Sequence, residues 1–415
     1  MSPSRVGQRN LPLVIAVVVL VFGAFSCSGD DEARTTTSSP TGQDFSVPGP
    51  YTVGATRLTL DDGRPVEVLY PAATDGLPPG TETYGYTMEE VWGPLITLFP
   101  ADEVAAAEAV QLPGVGVDLP ADGDGPFPVV VVSHGWGTKR FTHVDHAAHL
   151  ASWGFVVALP EHTSRNLQTR LGGGGTWTTD AETVLETVDR LAVEGSEPDA
   201  LLAGVPDTER VAVEGHSAGG HDALVAAYDE RVDTWIGLAP AIPFPDGLDS
   251  SAEDDPETFD LDAFLAETAP PDKPSMTLLA EDDHVLDGAE RRAVFDWLAP
   301  PKRLVVLADT GHSVFLIDCQ GIQEHGGSVV ADQLGLAPDS IERRTLEDGC
   351  LPDDAPASQV QATWNHLAIA HLRQVFGIDP DVAAASLEPS YLDATFPGRV
   401  AAQVDEGVEG VGAAG

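Results

Sequence analysis

Nearly unbroken apolar runs alternate with amphipathic stretches along this chain. PFPVVVVSHG (126–135), GFVVALPE (154–161), VAVEG (211–215), TWIGLAP (234–240), PSMTLLA (274–280) and RLVVLAD (303–309) are such runs. A strand with water on one face alternates apolar and polar residues, whereas a strand covered on both faces does not need to. These six runs therefore predict buried strands. Helical spacing falls between them, over 141–152, 178–195 (Val184, Leu185, Val188, Leu191), 218–229 and 287–299, and a long helix is predicted near Val360–Val375. Strands alternating with helices predict an α/β fold, a mostly parallel central sheet flanked by helices. The domain, taken as 48–398, opens with a hairpin of YTVGATRLTL and RPVEVLYPA around Asp61-Asp62-Gly63. Two stretches break the alternation, 75–122 with one helix around Pro100–Gln111, and the acidic, Pro-rich 242–272. Both are read as cap-like insertions. The small, acidic tail 399–415 is read as disordered.

Sites in such sheets lie at the carboxyl ends of the strands. There, Gly215-His216-Ser217-Ala218-Gly219-Gly220 carries G-x-S-x-G between a strand and a helix. The pentapeptide alone is a weak signal, but strand–turn–helix is the setting of a nucleophile elbow. Ser217 is the candidate nucleophile, and the Ala218 N–H a candidate oxyanion donor. A serine needs a base. His312 follows the last central strand and lies at the same edge; His216 and His221 flank Ser217 too closely to take its proton. Glu281-Asp282-Asp283 ends the strand before, and all three carboxylates are near the right place. Asp283 is the choice for the third member, with Asp282 next. The order Ser, Asp, His is that of the α/β-hydrolase fold. Ser133-His134-Gly135-Trp136-Gly137 offers the second oxyanion donor, the Trp136 N–H. His143, His146 and His149 lie at one-turn spacing on a helix, but no further ligand completes a metal set, and they read as a solvated face. Leu171-Gly172-Gly173-Gly174-Gly175-Thr176 lacks the Lys-Ser/Thr of a phosphate loop and reads as a flexible connection. No metal or organic cofactor is called for.

Charge narrows the partners. With 66 acidic and 21 basic residues the net charge is −45, which repels nucleic acid and anionic membranes. Arg5 and Arg9 precede an apolar run from Leu11 to Phe25, shorter than the ~20 residues of a bilayer span and laid out like a secretory signal. Ala24-Phe25-Ser26-Cys27 resembles a lipobox, so residues 1–27 are read as a signal peptide with lipidation at Cys27, and the polar 28–47 as a disordered tether. The expected location is extracytoplasmic, on the outer face of the cell membrane, with the lipid as the only membrane contact. Cys319 and Cys350 then remain as a pair, and export favours a disulfide. The loop closed would be about 30 residues, worth ~3–4 kcal/mol on the chain-entropy account.

GPYTVGATRLTL, RPVEVLYPA, VVVVSHGWG, VEGHSAGGH, LLAEDDHVL and TGHSVF together resemble the platelet-activating-factor acetylhydrolase-like hydrolases, over roughly 49–376. Cutinase-type polyester hydrolases and dienelactone-hydrolase-like proteins are relatives of that group; dienelactone hydrolases proper use cysteine where this chain has serine. The resemblance implies an α/β-hydrolase fold, a triad of Ser217, Asp283 and His312, and oxyanion donors at Trp136 and Ala218. It implies a serine carboxylic ester hydrolase acting on a small-molecule or lipid ester, and a monomer is expected. A phospholipid deacetylase and a polyester hydrolase are the alternatives within that chemistry, although the two insertions depart from the open clefts of compact polyester hydrolases. An amidase or peptidase, or a non-catalytic ligand-binding lipoprotein on the same fold, are those outside it.

Overall fold

The computed structural model describes residues 41–93, 110–171, 174–175, 180–241, 261–286, 288–333, 335–408 and 411. The signal segment with Cys27, the predicted helix up to residue 109 and most of the 242–272 insertion lie outside them, as do Gly172 and Gly173.

Eleven strands form one sheet: β1 (Thr52–Thr59), β2 (Pro65–Ala72), β3 (Thr83–Tyr86), β4 (Val110–Val117), β5 (Phe127–Ser133), β6 (Val156–Pro160), β7 (Pro206–His216), β8 (Val232–Leu238), β9 (Ser275–Ala280), β10 (Lys302–Leu307) and β11 (Val400–Glu406). Their order is β11-β10-β9-β8-β7-β5-β6-β2-β1-β4-β3. The six strands from β6 to β10 are mutually parallel. They are the six apolar runs of the sequence. In β5 every residue is buried. Val130 and Val132 pack into the cluster on one face of the sheet, with the helices Val144–Ser152 and Ala357–Val375. Val129 and Val131 pack into the cluster on the other face, with the helix Ala181–Ser196. The period of two along the strand thus feeds two cores, which is why no polar alternate is tolerated.

Several expectations need correction. The tail is not disordered over Val400–Glu406, which pairs antiparallel with β10. Its own residues are small or acidic, so it lacks an apolar signature. Its partners supply what it lacks: Lys302 lies opposite Glu406 and Arg303 opposite Asp405, with Arg303 Nε 2.7 Å from Asp405 Oδ1. The tether ends before 47. Phe45 is fully buried, edge-on to Trp153 at 5.0 Å, and its N–H donates to His366 Nδ1. The described parts of the 75–122 stretch join the sheet, since β3 and β4 extend it beyond β1, and Val110 and Gln111 are strand, not helix. In the second insertion Leu261–Glu267 is a short helix.

His143 and His146 are not on a solvated face. Both are buried. His143 Nδ1 donates to the Phe315 carbonyl at 3.0 Å, and burial pushes its pKa down to about 3. His146 Nε2 lies 3.1 Å from Glu214 Oε1; burial favours its neutral form, but the Glu214 carboxylate outweighs that and raises its pKa. One-turn spacing reports a shared face, and only packing says which way the face points.

Candidate active site

β7 runs out at His216 and the helix Ala218–Ala226 begins one residue later, so Ser217 must make the whole reversal alone. It does so at φ 55°, ψ −121°, a conformation that costs a non-glycine residue on the order of 1–3 kcal/mol. The turn is held by bonds on both sides. Ser217 N donates to the Leu238 carbonyl at 3.0 Å, and the Ser217 carbonyl accepts from Gly220 N at 2.9 Å and from Ala241 N at 2.9 Å. The motif glycines have a steric cause. A Cβ on Gly215 would lie 2.1 Å from the Gly219 carbonyl oxygen, and one on Gly219 would lie 2.1 Å from that of Ser133. The elbow is therefore pressed directly onto the end of β5.

The loop after β5 lies against Ser217. A Cβ on Gly135 would sit 3.4 Å from Ser217 Cβ and 3.1 Å from His216 Nδ1. Trp136 follows in a half-buried turn. This loop is fastened by a residue that the sequence did not flag. Arg165, 2% exposed, donates from Nη2 to the His134 carbonyl at 2.7 Å and to Ser133 Oγ at 3.1 Å. Its Nη1 pairs with the buried Asp222 of the helix Ala218–Ala226. Arg165 also accepts Gly137 N at its carbonyl, at 2.9 Å. One guanidinium thus joins the loop that carries Trp136 to the helix that carries Ala218. An arginine in a connecting loop gives no pattern by which this role could be read.

Asp283 follows β9, and His312 follows β10. His312 Nδ1 lies 2.8 Å from Asp283 Oδ2. Asp283 Oδ1 accepts from Val285 N and Leu286 N, and the Arg291 guanidinium pairs with Oδ2. Burial pushes this carboxyl up. The His312 hydrogen bond and charge, the Arg291 charge and the Leu286 N–H together outweigh burial and hold it well below the usual carboxylate range. Asp282, by contrast, is exposed, and its backbone N–H is taken by the Thr310 carbonyl. Of the two acids left open by the sequence, the structure brings Asp283 to the histidine.

Ser217 meets this pair through its neighbour. His216 Nε2 donates to the His312 carbonyl at 2.9 Å, and the two rings lie 4.7 Å apart. Burial first, then the neighbouring His312 and His143, keeps His216 well below the ordinary histidine range, so it is neutral and takes no part as an acid. His312 Nδ1 is thus committed to Asp283. Cys319 and Cys350 are joined in a disulfide with Cα atoms 5.0 Å apart, both buried. Among the described residues no cluster of three or more His, Cys, Asp or Glu side chains could hold a metal ion.

The family described as platelet-activating factor acetylhydrolase, isoform II, matches residues 106–170, which include β5, the Ser133–Gly137 loop and Arg165. Taken with the parallel sheet and the strained elbow after β7, this decides the fold class. The chain has the α/β-hydrolase fold. It is also similar to Chlorophyllase-2 of Arabidopsis thaliana, 24% identical over 209 residues, 49% of this chain. It spans 58% of the length of that relative.

Proposed function

We propose that this protein is a serine carboxylic ester hydrolase working through an acyl-enzyme. The observation that carries the reading is the Asp283–His312 bond of 2.8 Å, joined through His216 to a serine held at positive φ. In the first half-reaction Ser217 Oγ attacks the ester carbonyl carbon while His312 Nε2 takes its proton. Asp283 holds the imidazole by Nδ1 and stabilises the imidazolium. The Trp136 and Ala218 N–H groups receive the oxyanion, and such a donor is worth about 3 kcal/mol where measured elsewhere. His312 then protonates the leaving alcohol as the C–O bond breaks. In the second half-reaction water, deprotonated by His312, attacks the Ser217 ester and releases the acid. The names of both relatives support hydrolytic chemistry of this class. Short- and medium-chain esters are the proposed substrates, with a phospholipid acetyl ester next.

The test is Ser217→Ala in purified protein with p-nitrophenyl butyrate. Loss of about 10³-fold or more in kcat is expected; unchanged turnover would sink the reading. A panel of C2 to C16 esters, a phospholipid, a polyester film and matched amides then orders the substrates. We also propose export with a lipid at Cys27. Cys27→Ser should move the protein from the membrane fraction to the soluble one, and an unchanged distribution would refute the anchor.

A further inference from the structure

The disulfide-bearing segment that follows His312 returns at 347–350 to lie directly behind the histidine. The approach is closer than side chains allow. A Cβ on Gly349 would be 2.2 Å from Gly311 N, and one on Gly311 would be 2.4 Å from Gly349 N. Between these glycines and the site stands Asp348, whose side chain is 6% exposed. Its Oδ2 accepts the backbone N–H of His312 at 2.7 Å and that of His284 at 3.0 Å. His284 directly follows Asp283 in the chain. The other oxygen, Oδ1, lies 2.8 Å from His284 Nδ1, and the Asp348 carbonyl accepts Ser313 N at 2.8 Å. Asp348 N in turn donates to the Arg344 carbonyl, and Ser313 Oγ to that of Thr345.

We propose that Asp348 is a positioning residue for the reaction: a single carboxylate oxygen ties the backbone of the base loop to that of the acid loop and so sets the Asp283–His312 separation. The inference rests on the reading of Ser217, Asp283 and His312 given above. Its logic is one of shared acceptors. Two N–H groups from two different catalytic loops converge on one atom, and bonds to an ionised acceptor are about twice as strong as neutral ones. No Lys or Arg ion pair of the described residues engages this carboxylate; its only ionisable partner is His284. The carboxylate is thus spent on the two loops and on the imidazole beside them. The disulfide Cys319–Cys350, two residues further on, anchors the segment that presents it.

Asp348→Ala removes both acceptors, whereas Asp348→Asn keeps one oxygen able to serve both N–H groups. For p-nitrophenyl butyrate, D348A is expected to lose about ten- to a hundred-fold in kcat with KM within about twofold, the scale of a small misplacement of reacting groups. D348N should recover to within about threefold of the parent, and His284→Ala should stay within about threefold. The downfield imidazole proton of the His312–Asp283 bond should broaden or vanish in the NMR spectrum of D348A and persist in D348N. A folded D348A with kcat within twofold, a loss confined to KM, or a folded D348N as poor as D348A would each overturn the proposal. Should D348A not fold, amide exchange in the unaltered protein decides: slow exchange at His312 and His284 supports the tie, and loop-like exchange at both overturns it. If Ser217→Ala retains activity, the parent reading has failed; if Ser217→Ala is inert while D348A is unimpaired, only the tie has.

Discussion

The Ser217 side of the proposed site and its Asp283–His312 side hold their side chains by different means. Ser217 is held by contact. Gly215 and Gly219 are so tightly packed against backbone that no side chain fits, and the buried Arg165–Asp222 pair closes the same unit from behind. Asp283 and His312 stand on loops that follow β9 and β10, near one edge of the sheet, where only β11 lies beyond. Their geometry is set by hydrogen bonds to Arg291, Asp348 and each other, and by a segment closed by a disulfide. Backbone contact and backbone hydrogen bonds are insensitive to redox state, and the charged element on that side is the buried Arg165–Asp222 pair. Holding by carboxylates and a disulfide is sensitive to both charge and redox state. The contrast teaches that one fold can carry a rigid half and a conditional half of a single site.

The comparison is tested hardest by Asp283→Asn, which keeps the shape of the conditional half and removes its charge. A loss of about 10⁴-fold in kcat is expected, from mis-set imidazole tautomer. Asp282→Asn should stay within about twofold, and the reverse ranking would reassign the acid. The rigid half is challenged next, by Arg165→Met. Taking the guanidinium away from the buried Asp222 carboxylate, which keeps the Asp180 N–H at 2.9 Å, should cost about 3 kcal/mol of stability, read by denaturant titration, and about tenfold or more in kcat through the proposed oxyanion loop. A folded variant with parental stability would show that contact alone holds this side.

Removing the disulfide with Cys319→Ser and Cys350→Ser together is expected to cost ~3–4 kcal/mol, a fall in melting temperature of about 5 °C. Hydrogen exchange should rise around 311–350 and not in the nucleophile helix; equal loosening of both would erase the distinction. The smallest effect is that of pH. Burial holds His143 and His371 at about 3 and His149 at about 4, against ~6.5 in an unfolded chain. The unfolded state therefore binds protons first as pH falls. The stability these residues contribute is full above pH 6.5 and is lost progressively as the pH drops toward 3–4. His146 opposes this, because its pKa is raised. In ~0.5 M salt, which screens repulsion among the acidic residues, a fall of a few degrees in melting temperature is expected from pH 7 to pH 5. Since His143 supports the Phe315 carbonyl, exchange should rise first in the segment after His312.

Legibility followed the range of the interactions. The six central strands were readable because burial on both faces leaves an uninterrupted apolar run, as in β5, where every residue is buried. The elbow was readable because its glycines and serine are adjacent in the chain. The acid was narrowed to neighbours, and the turn after β9 separated the exposed Asp282 from the buried Asp283. β11 was not readable, because its pairing depends on Lys302 and Arg303, about a hundred positions earlier. The same holds for Phe45, whose buried state rests on Trp153 and His366.

What the sequence determined by itself is the alternation of elements, the turn that raises Ser217, and the chain order of Ser217, Asp283 and His312, the proposed nucleophile, acid and base. These are local patterns, written in periods of two and 3.6 and in glycine placement. Only the tertiary structure decided which carboxylate meets His312, that Arg165 and Asp222 fasten the Ser133–Gly137 loop, and that Asp348 accepts from the loops of both His312 and Asp283. Each of those joins residues far apart in the chain, so none leaves a periodic mark. Their energy exists only once burial has removed water as the competing partner.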